Sequence, residues 1–357
     1  MNNPLGIAFA GAGFIASMHM LASLDFSDIK VVAMASNNPD AAKRRAKLFN
    51  VTPYAFAKLE AMCGRKDVDV VFIQGPNYLR LQHSLTAIKA GKHIVIEKPM
   101  AMNLQEADAI IDAAAKAGVG IGYAENHAFS SQLIKARELV AAGEIGNVQT
   151  IKAAFAHGGP DFGWFWDPIL SGGGAIADLI PHVLSGALYL LDKPEVLRVA
   201  EASMHQSAIG DVDSLTEVKV ETAGGIIIDL KGSWEAPPDE EFYEISGTRG
   251  TLKVTNTLPQ WISLVSPEGV SRDIDFPGWL NFNLRNFIAN NGYNTQMKHF
   301  ADCFRQGVTA RQTGQDGRDI MAVLLAAALS ANRKQPVALM DAIPADRTAH
   351  QLWRGDY

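Results

Sequence analysis

Cysteine is scarce. The 357 residues hold two, Cys63 and Cys303, and their distance in sequence excludes a disulfide framework or a cysteine-rich zinc site. Reduced thiols in a cytoplasmic protein are the plain reading, and no metal is expected. Long apolar runs are missing too. None approaches the ~18 residues that span a bilayer, and the Asn2-Asn3-Pro4 start has neither the charged nor the apolar region of a signal peptide. Positive charge is not in excess: 32 Lys and Arg against 38 Asp and Glu leave a formal charge of −6, which gives no basic footprint for nucleic acid. Neither a membrane nor a nucleic acid is therefore an expected partner. The chain also lacks internal repeats and low-complexity linkers. What remains is 48% hydrophobic and 20% charged, as a folded globular chain requires, and too long for one small core. Two domains are expected.

The most informative motif is Gly11-Ala12-Gly13-Phe14-Ile15-Ala16. It follows an apolar run, 5–10, and opens a helix-like stretch that reaches Leu24. Strand, glycine turn and helix in that order are what a dinucleotide pyrophosphate needs. Gly11 permits the tight turn, Gly13 lets backbone approach the phosphates, and Ala16 allows close helix–strand packing. The helix start supplies free N–H donors and the positive end of its dipole. Phe14 and Ile15 would lie against the ligand. A structural glycine turn can carry the same letters; the flanking strand and helix favour nucleotide binding.

Further strand-like runs at 29–35, 68–73, 94–96 and 119–122 alternate with helical candidates at 40–49, 79–90 and 104–117. Such alternation, with continuously apolar strands, implies a doubly wound parallel sheet covered on both faces. Ligands of such sheets sit beyond the carboxyl ends of the strands, where Gly11 to Ala16, Ser36-Asn37, Gly75-Pro76-Asn77 and Glu97-Lys98 all fall. An acidic residue after the second strand would bind the ribose hydroxyls of NAD. This chain has Ala35-Ser36-Asn37-Asn38, with Lys43 and Arg44 close behind. Nothing there repels a 2′-phosphate, so NADP is the preferred cofactor and NAD the alternative. Lys43, Arg44 and Arg45 also fit a solvated helix face, the last of them at least as well, and Asp40 reads as a charge at a helix N-terminus.

Two segments suggest catalysis. Pro99 biases Lys98 towards extended backbone, so that its ammonium projects from a strand end, although an ordinary surface lysine explains Lys98 equally well. Gly172-Gly173-Gly174 leads into Ala175-Ile176-Ala177-Asp178-Leu179-Ile180-Pro181-His182. Asp178 and His182 are four apart, which on a helix means one face, but Pro181 requires the helix to kink or begin there. Polar groups in an apolar segment need partners. A bonded core histidine with an aspartate cap would also satisfy this pattern.

With these residues in hand, the chain resembles the Gfo/Idh/MocA family of pyranose, inositol and related dehydrogenases. The likeness rests on the glycine fingerprint, Pro76-Asn77, Glu97-Lys98-Pro99, Asn126 after the 119–122 run, and the glycine lead to Asp178 and His182. It continues in Glu244-Ile245-Ser246-Gly247-Thr248-Arg249-Gly250-Thr251-Leu252. The resemblance implies an N-terminal Rossmann domain (1–124) and a C-terminal α/β domain built on a large, open, mostly antiparallel sheet (125–340), with a polar peripheral tail at 341–357. It implies an active site in the cleft between the domains and a sheet face used for a homodimer or homotetramer. Gly75, Asn77, Glu97 and Asn126 would contact cofactor. Lys98 would position substrate and tune proton transfer, His182 would be the acid/base, and Asp178 would orient it or bind sugar hydroxyls. Hydride leaves carbon for the nicotinamide while a base removes the hydroxyl proton; a histidine titrates in the required range, and a nearby lysine lowers its pKa by like-charge repulsion. The chain departs from the family at Ile180, often Gly, which could narrow the pocket beside His182, and at Ser185, often Asp.

The segment His157-Gly158-Gly159-Pro160-Asp161-Phe162-Gly163-Trp164-Phe165-Trp166 reads as a loop. Aromatic faces suit sugar C–H surfaces and carboxylates suit hydroxyls, so His157, Asp161 and Trp164 are substrate candidates. Anchoring the loop to the sheet is the competing role for Trp164 and Trp166, and the better one for at least one of them. Residues 225–231, 243–247 and 251–255 read as strands, and Asn290 to Tyr293 as a loop before a helix from Gln296, where Tyr293 fits a plain helix-start aromatic. The expected function is an NAD(P)-dependent oxidoreductase acting on a CH–OH group of a sugar, polyol or sugar derivative. A non-catalytic NAD(P)-binding regulator and a sugar–sugar oxidoreductase with a permanently bound cofactor are the alternatives.

Overall fold

The computed structural model describes residues 4–235, 239–255, 261–275 and 284–357; Asn2 and Asn3 lie outside them. The chain forms two compact units. The first runs to Ala124 and takes in Gly292–Arg318, and the second comprises Glu125–Asn291 and Asp319–Tyr357. Residues 292–318, expected in the second domain, thus cluster with the first. Gln312 accepts a hydrogen bond from the Tyr123 N–H at 3.0 Å, and Thr313 bridges to Gly122.

The first unit holds a six-stranded sheet: β1 (Leu5–Ala10), β2 (Ile29–Ser36), β3 (Thr52–Ala55), β4 (Val70–Ile73), β5 (His93–Glu97) and β6 (Ile121–Ala124), in the order β3-β2-β1-β4-β5-β6. Every pairing is parallel. The strands are apolar because both faces are covered, and all four residues of β4 are buried. Strand order reverses between β1 and β4, the switch point where such sheets take their ligands. Helix α1 (Phe14–Ser23) follows β1 and α2 (Pro39–Phe49) follows β2. Strand β3 was not legible by periodicity, because Pro53 interrupts it; a proline is tolerated on the edge strand it forms. The last strand begins at Ile121 rather than at 119.

Among the described residues the second unit has nine strands: β7 (Val148–Ala156), β8 (Val196–Gln206), β9 (Asp213–Thr222), β10 (Ile227–Ser233), β11 (Glu240–Gly247), β12 (Gly250–Thr255), β13 (Trp261–Val265), β14 (Ser271–Asp273) and β15 (Val337–Ala338). Their order is β14-β13-β12-β11-β7-β10-β9-β8-β15. Only β7 with β10 is parallel among the described pairings; the rest are antiparallel. Burial along β9 alternates, as expected when one face packs and the other meets polar surroundings. On the polar face Lys219 lies 3.7 Å from Glu201 and 3.6 Å from Asp229. Within residues 168–190 an 18-residue window is apolar enough in composition to suit a membrane helix, and 94% of that window is buried within the protein. These residues are broken into Pro168–Ser171, Ala175–Asp178 and Ile180–Leu190. They are core. The terminal segment is largely exposed but is tied down at one helix: Ala349–Arg354 carries a Thr348–Gln351 capping box, buries Leu352, and docks through the His350 N–H on the Gly172 carbonyl at 3.0 Å.

Candidate active site

The first unit carries a cradle at the switch point. Gly11 has φ +147°, and a Cβ there would lie 2.6 Å from the Gln74 carbonyl at the end of β4. Only glycine suits such a turn. A Cβ on Gly13 would meet nothing within 4 Å, so the space above the start of α1 is open. No side chain caps that helix, and its first turn has no carboxylate, leaving free N–H donors and a positive dipole end. Phe14 is exposed and Ile15 half-buried beside them. This cradle fits a dinucleotide pyrophosphate. Arg45 on α2, expected on a solvated face, instead donates to the Gly13 carbonyl at 2.9 Å and to Ser17 Oγ at 2.6 Å. It braces the turn and is committed there. Lys43 and Arg44 remain exposed. At the end of β2, Ser36 is buried and its Oγ accepts from the Asn38 N–H at 3.1 Å, while Asn37 is exposed. Gly75 and Asn77 follow β4 and are buried.

Lys98 leaves β5 half-buried, through a cis bond to Pro99. Glu97 before it points inward: its carboxylate lies 3.8 Å from His19 Nδ1 and accepts from the Lys98 N–H at 3.3 Å. Burial pushes Glu97 up to about 7, although the nearby Arg80 and Lys98 oppose the rise. Burial also pulls His19 down to about 4. His19 accepts from Gln74 Nε2 at 2.5 Å and meets Gln296 Oε1 at 2.8 Å through Nε2, so a neutral ring with its proton on Nε2 satisfies both. Tyr293 opens the helix Tyr293–Gln306 and packs edge-on against His19 with centroids 5.3 Å apart.

In the second unit Asp178 and His182 fall on two consecutive helices rather than one. Pro181 sits in the first turn of Ile180–Leu190, and Leu179 is the junction. The carboxylate found on His182 Nδ1 is that of Glu125, at 2.5 Å, where the sequence offered Asp178 for orientation. Glu125 is fully buried and also accepts from the His127 N–H at 3.2 Å. The His127 ring stacks on His182 with centroids 4.6 Å apart and planes 22° off parallel. Its Nδ1 meets the Tyr243 hydroxyl at 2.7 Å and its Nε2 meets Glu241 Oε1 at 3.1 Å. Tyr243 reaches this position under a glycine: a Cβ on Gly186 would come within 2.2 Å of its hydroxyl. Glu125, His127 and His182 offer ligand-type atoms within 4.8 Å of one another. Both ring nitrogens of His127 and Nδ1 of His182 are already engaged, so this is a hydrogen-bonded cluster and not a cation cage.

Asp178 Oδ2 accepts from Trp234 Nε1 at 3.1 Å and lies 3.7 Å from His157 Nε2. His157 Nδ1 accepts from the Gly159 N–H at 3.0 Å, which turns the Nε2 proton towards Asp178. The lead into Asp178 is fixed by buried Asp213, which accepts from the N–H groups of Gly174 and Ile176, both at 2.7 Å, and from Thr216 Oγ1 at 2.6 Å. In the aromatic loop Trp166 is the anchor: it donates to the Pro160 carbonyl at 3.1 Å and packs with Phe165 around Trp234. Trp164 stacks outside Phe165 at 3.8 Å, and Asp161 is exposed. Asn126 donates through Nδ2 to the Asn291 carbonyl at 2.9 Å. Ile180 is fully buried and packs towards Gly232 of β10, which places it in the core rather than in a pocket. Glu125, His127, Trp234, Glu241 and Tyr243 were not singled out from sequence. The only local sign was a carboxylate and an imidazole, Glu125 and His127, just after an apolar strand.

Comparison with known proteins agrees with this fold. Residues 5–125 match the GFO_IDH_MocA oxidoreductase model, an NAD-binding Rossmann fold, and residues 133–253 match the GFO/IDH/MocA C-terminal domain. The chain is similar to D-glucoside 3-dehydrogenase of Escherichia coli K12, 32% identical over 56% of this chain and 57% of that protein. It is also similar to 1,5-anhydro-D-fructose reductase of Ensifer adhaerens, 28% identical over 73% of this chain and 80% of that one. Among solved structures it resembles GenD2 from gentamicin A biosynthesis, in complex with NAD. That match has a TM-score of 0.82 and 25% identity, and covers 96% of this chain and 98% of the other.

Proposed function

This chain belongs to the GFO/IDH/MocA family of oxidoreductases, and we propose that it oxidises a secondary alcohol of a sugar, polyol or sugar derivative, or reduces the matching keto-sugar. The observation that carries this reading is the buried pair of Glu125 and His182, 2.5 Å apart. The dinucleotide, when bound, supplies the hydride acceptor or donor. His182, with Nδ1 held by Glu125, takes the hydroxyl proton at Nε2 in oxidation and returns it in reduction. Lys98 positions the reacting oxygen. Asp178, fixed by Trp234, accepts a second substrate hydroxyl, with His157, Asp161 and Trp164 as further contacts. Gly11, Gly13, Phe14, Ile15, Ser36, Asn37, Gly75, Asn77, Glu97 and Asn126 line or support the dinucleotide.

NADP is the preferred form. No carboxylate stands at the end of β2 to repel a 2′-phosphate, and Lys43 and Arg44 are exposed nearby. With Arg45 committed to the glycine turn, these two supply the positive charge. A cytoplasmic homodimer or homotetramer is the assembly we assign. Lys98→Met and His182→Gln test the roles: each is expected to lower turnover by about 10²–10⁴-fold while cofactor titration gives an unchanged Kd. Retained turnover in either variant overturns its role.

A further inference from the structure

His127 faces titratable groups from three segments: Glu125 from its own loop, His182 from the helix Ile180–Leu190, and Glu241 and Tyr243 from β11. Phe155 of β7 closes a further side, with centroids 5.8 Å apart. The bonds among these groups limit where protons can sit. Tyr243 donates its single hydroxyl proton to the His182 carbonyl at 3.3 Å. Its oxygen can then only accept from His127 Nδ1, 2.7 Å away. On the other side of the ring Nε2 faces Glu241 Oε1 at 3.1 Å, and an ionised carboxylate only accepts. With the hydroxyl proton on the His182 carbonyl both ring nitrogens donate, which makes His127 an imidazolium. Were Tyr243 to turn its proton to Nδ1 instead, the ring would be neutral and the bond to the His182 carbonyl lost.

We propose that His127 is a positioning residue: an imidazolium held between Tyr243 and Glu241 and stacked on His182, it balances the carboxylates of buried Glu125 and half-buried Glu241 and keeps Glu125 a bare acceptor. His182 Nδ1 must then donate to Glu125, and the His182 lone pair stays on Nε2. His127 acts through its neighbours and touches no reacting atom. The same positive charge opposes protonation of His182, so it sets the acid limit of turnover. The kinetic part of this inference rests on the hydride chemistry proposed above; the charge state of His127 does not.

The test is a long-range ¹H–¹⁵N spectrum of the full chain labelled at its nine histidines, recorded from pH 6 to 8. One buried ring should show both nitrogens protonated throughout. Two variants identify it: His127→Gln removes that ring, and Glu241→Gln, which takes the anion from Nε2, converts it to a neutral one. In His127→Gln the acid limb of the kcat profile should move up by about one to two pH units, with the KM for cofactor unchanged. A neutral His127 in the wild-type chain, or an acid limb that stays in place while kcat falls, overturns the proposal. An imidazolium at His127 in a chain that turns over no carbohydrate would leave this charge assignment standing and overturn the hydride reading instead.

Discussion

Replacing Glu97 by Gln should stabilise the first unit, and more so as pH rises. The carboxyl is buried beside His19, and burial lifts it from 4.5 to about 7. In the unfolded chain it ionises near 4.5, so between these values the folded state holds a proton that the unfolded state has lost. Stability therefore falls as pH climbs through that window. A gap of about 2.5 pH units at about 1.4 kcal/mol each gives a loss of about 3 kcal/mol once the window is crossed. His19, pulled down to about 4, works the other way: its contribution is lost as pH falls from 6.5 towards 4. The two effects mask each other in the wild-type chain but not in the difference between variant and wild type. Glutamine keeps the shape and can accept from the Lys98 N–H. Paired urea titrations should show the stability gap, Glu97→Gln minus wild type, widening by about 2–3 kcal/mol between pH 5 and pH 8. A gap constant with pH would mean that Glu97 is ionised throughout, and would refute the reasoning.

Glu125→Gln should lower kcat by about 10²–10³-fold, since the amide no longer offers His182 a charged acceptor; stopped-flow turnover with an unchanged cofactor Kd checks this. Gly186→Ala should cost about 1–3 kcal/mol, because its Cβ would stand 2.2 Å from the Tyr243 hydroxyl. Thermal unfolding should show the drop, and adding Tyr243→Phe should recover part of it. Asn37→Asp places a carboxylate where the 2′-phosphate is assigned and should swing preference towards NAD by about tenfold or more, read as a ratio of kcat/KM values.

Local chemistry was readable in sequence wherever a local rule decides the outcome. The helix Leu104–Ala117 appears with its expected bounds because Asn103 caps it, accepting from the Glu106 N–H, and Gly118 takes the left-handed turn that ends it. The strand–glycine–helix order located the cradle, and Pro181 marked the break between the helices of Asp178 and His182. What escaped was set by distant partners. Glu125 meets His182 across 57 positions and His127 meets Tyr243 across 116, and no periodicity joins such pairs. Tyr243 reads as one more strand aromatic until Gly186 is seen to make room for its hydroxyl. Arg45 reads as a surface cation because the Gly13 carbonyl it grips is presented by a different turn. Ile180 misled for the same reason: Gly232 on the sheet accepts it, which the sequence beside His182 does not reveal.

The decisive experiment is to incubate the purified chain with NADP⁺ or NAD⁺ and a panel of aldoses, inositols, sugar acids and anhydrosugars, following nicotinamide absorbance. NADPH with keto-sugars is run alongside. Reduction of NADP⁺ faster than NAD⁺ by at least one carbohydrate, abolished in Lys98→Met and His182→Gln, is the expected result. Silence with every alcohol and every keto-sugar, while both dinucleotides bind, would contradict it and leave a nucleotide-binding protein without the assigned chemistry.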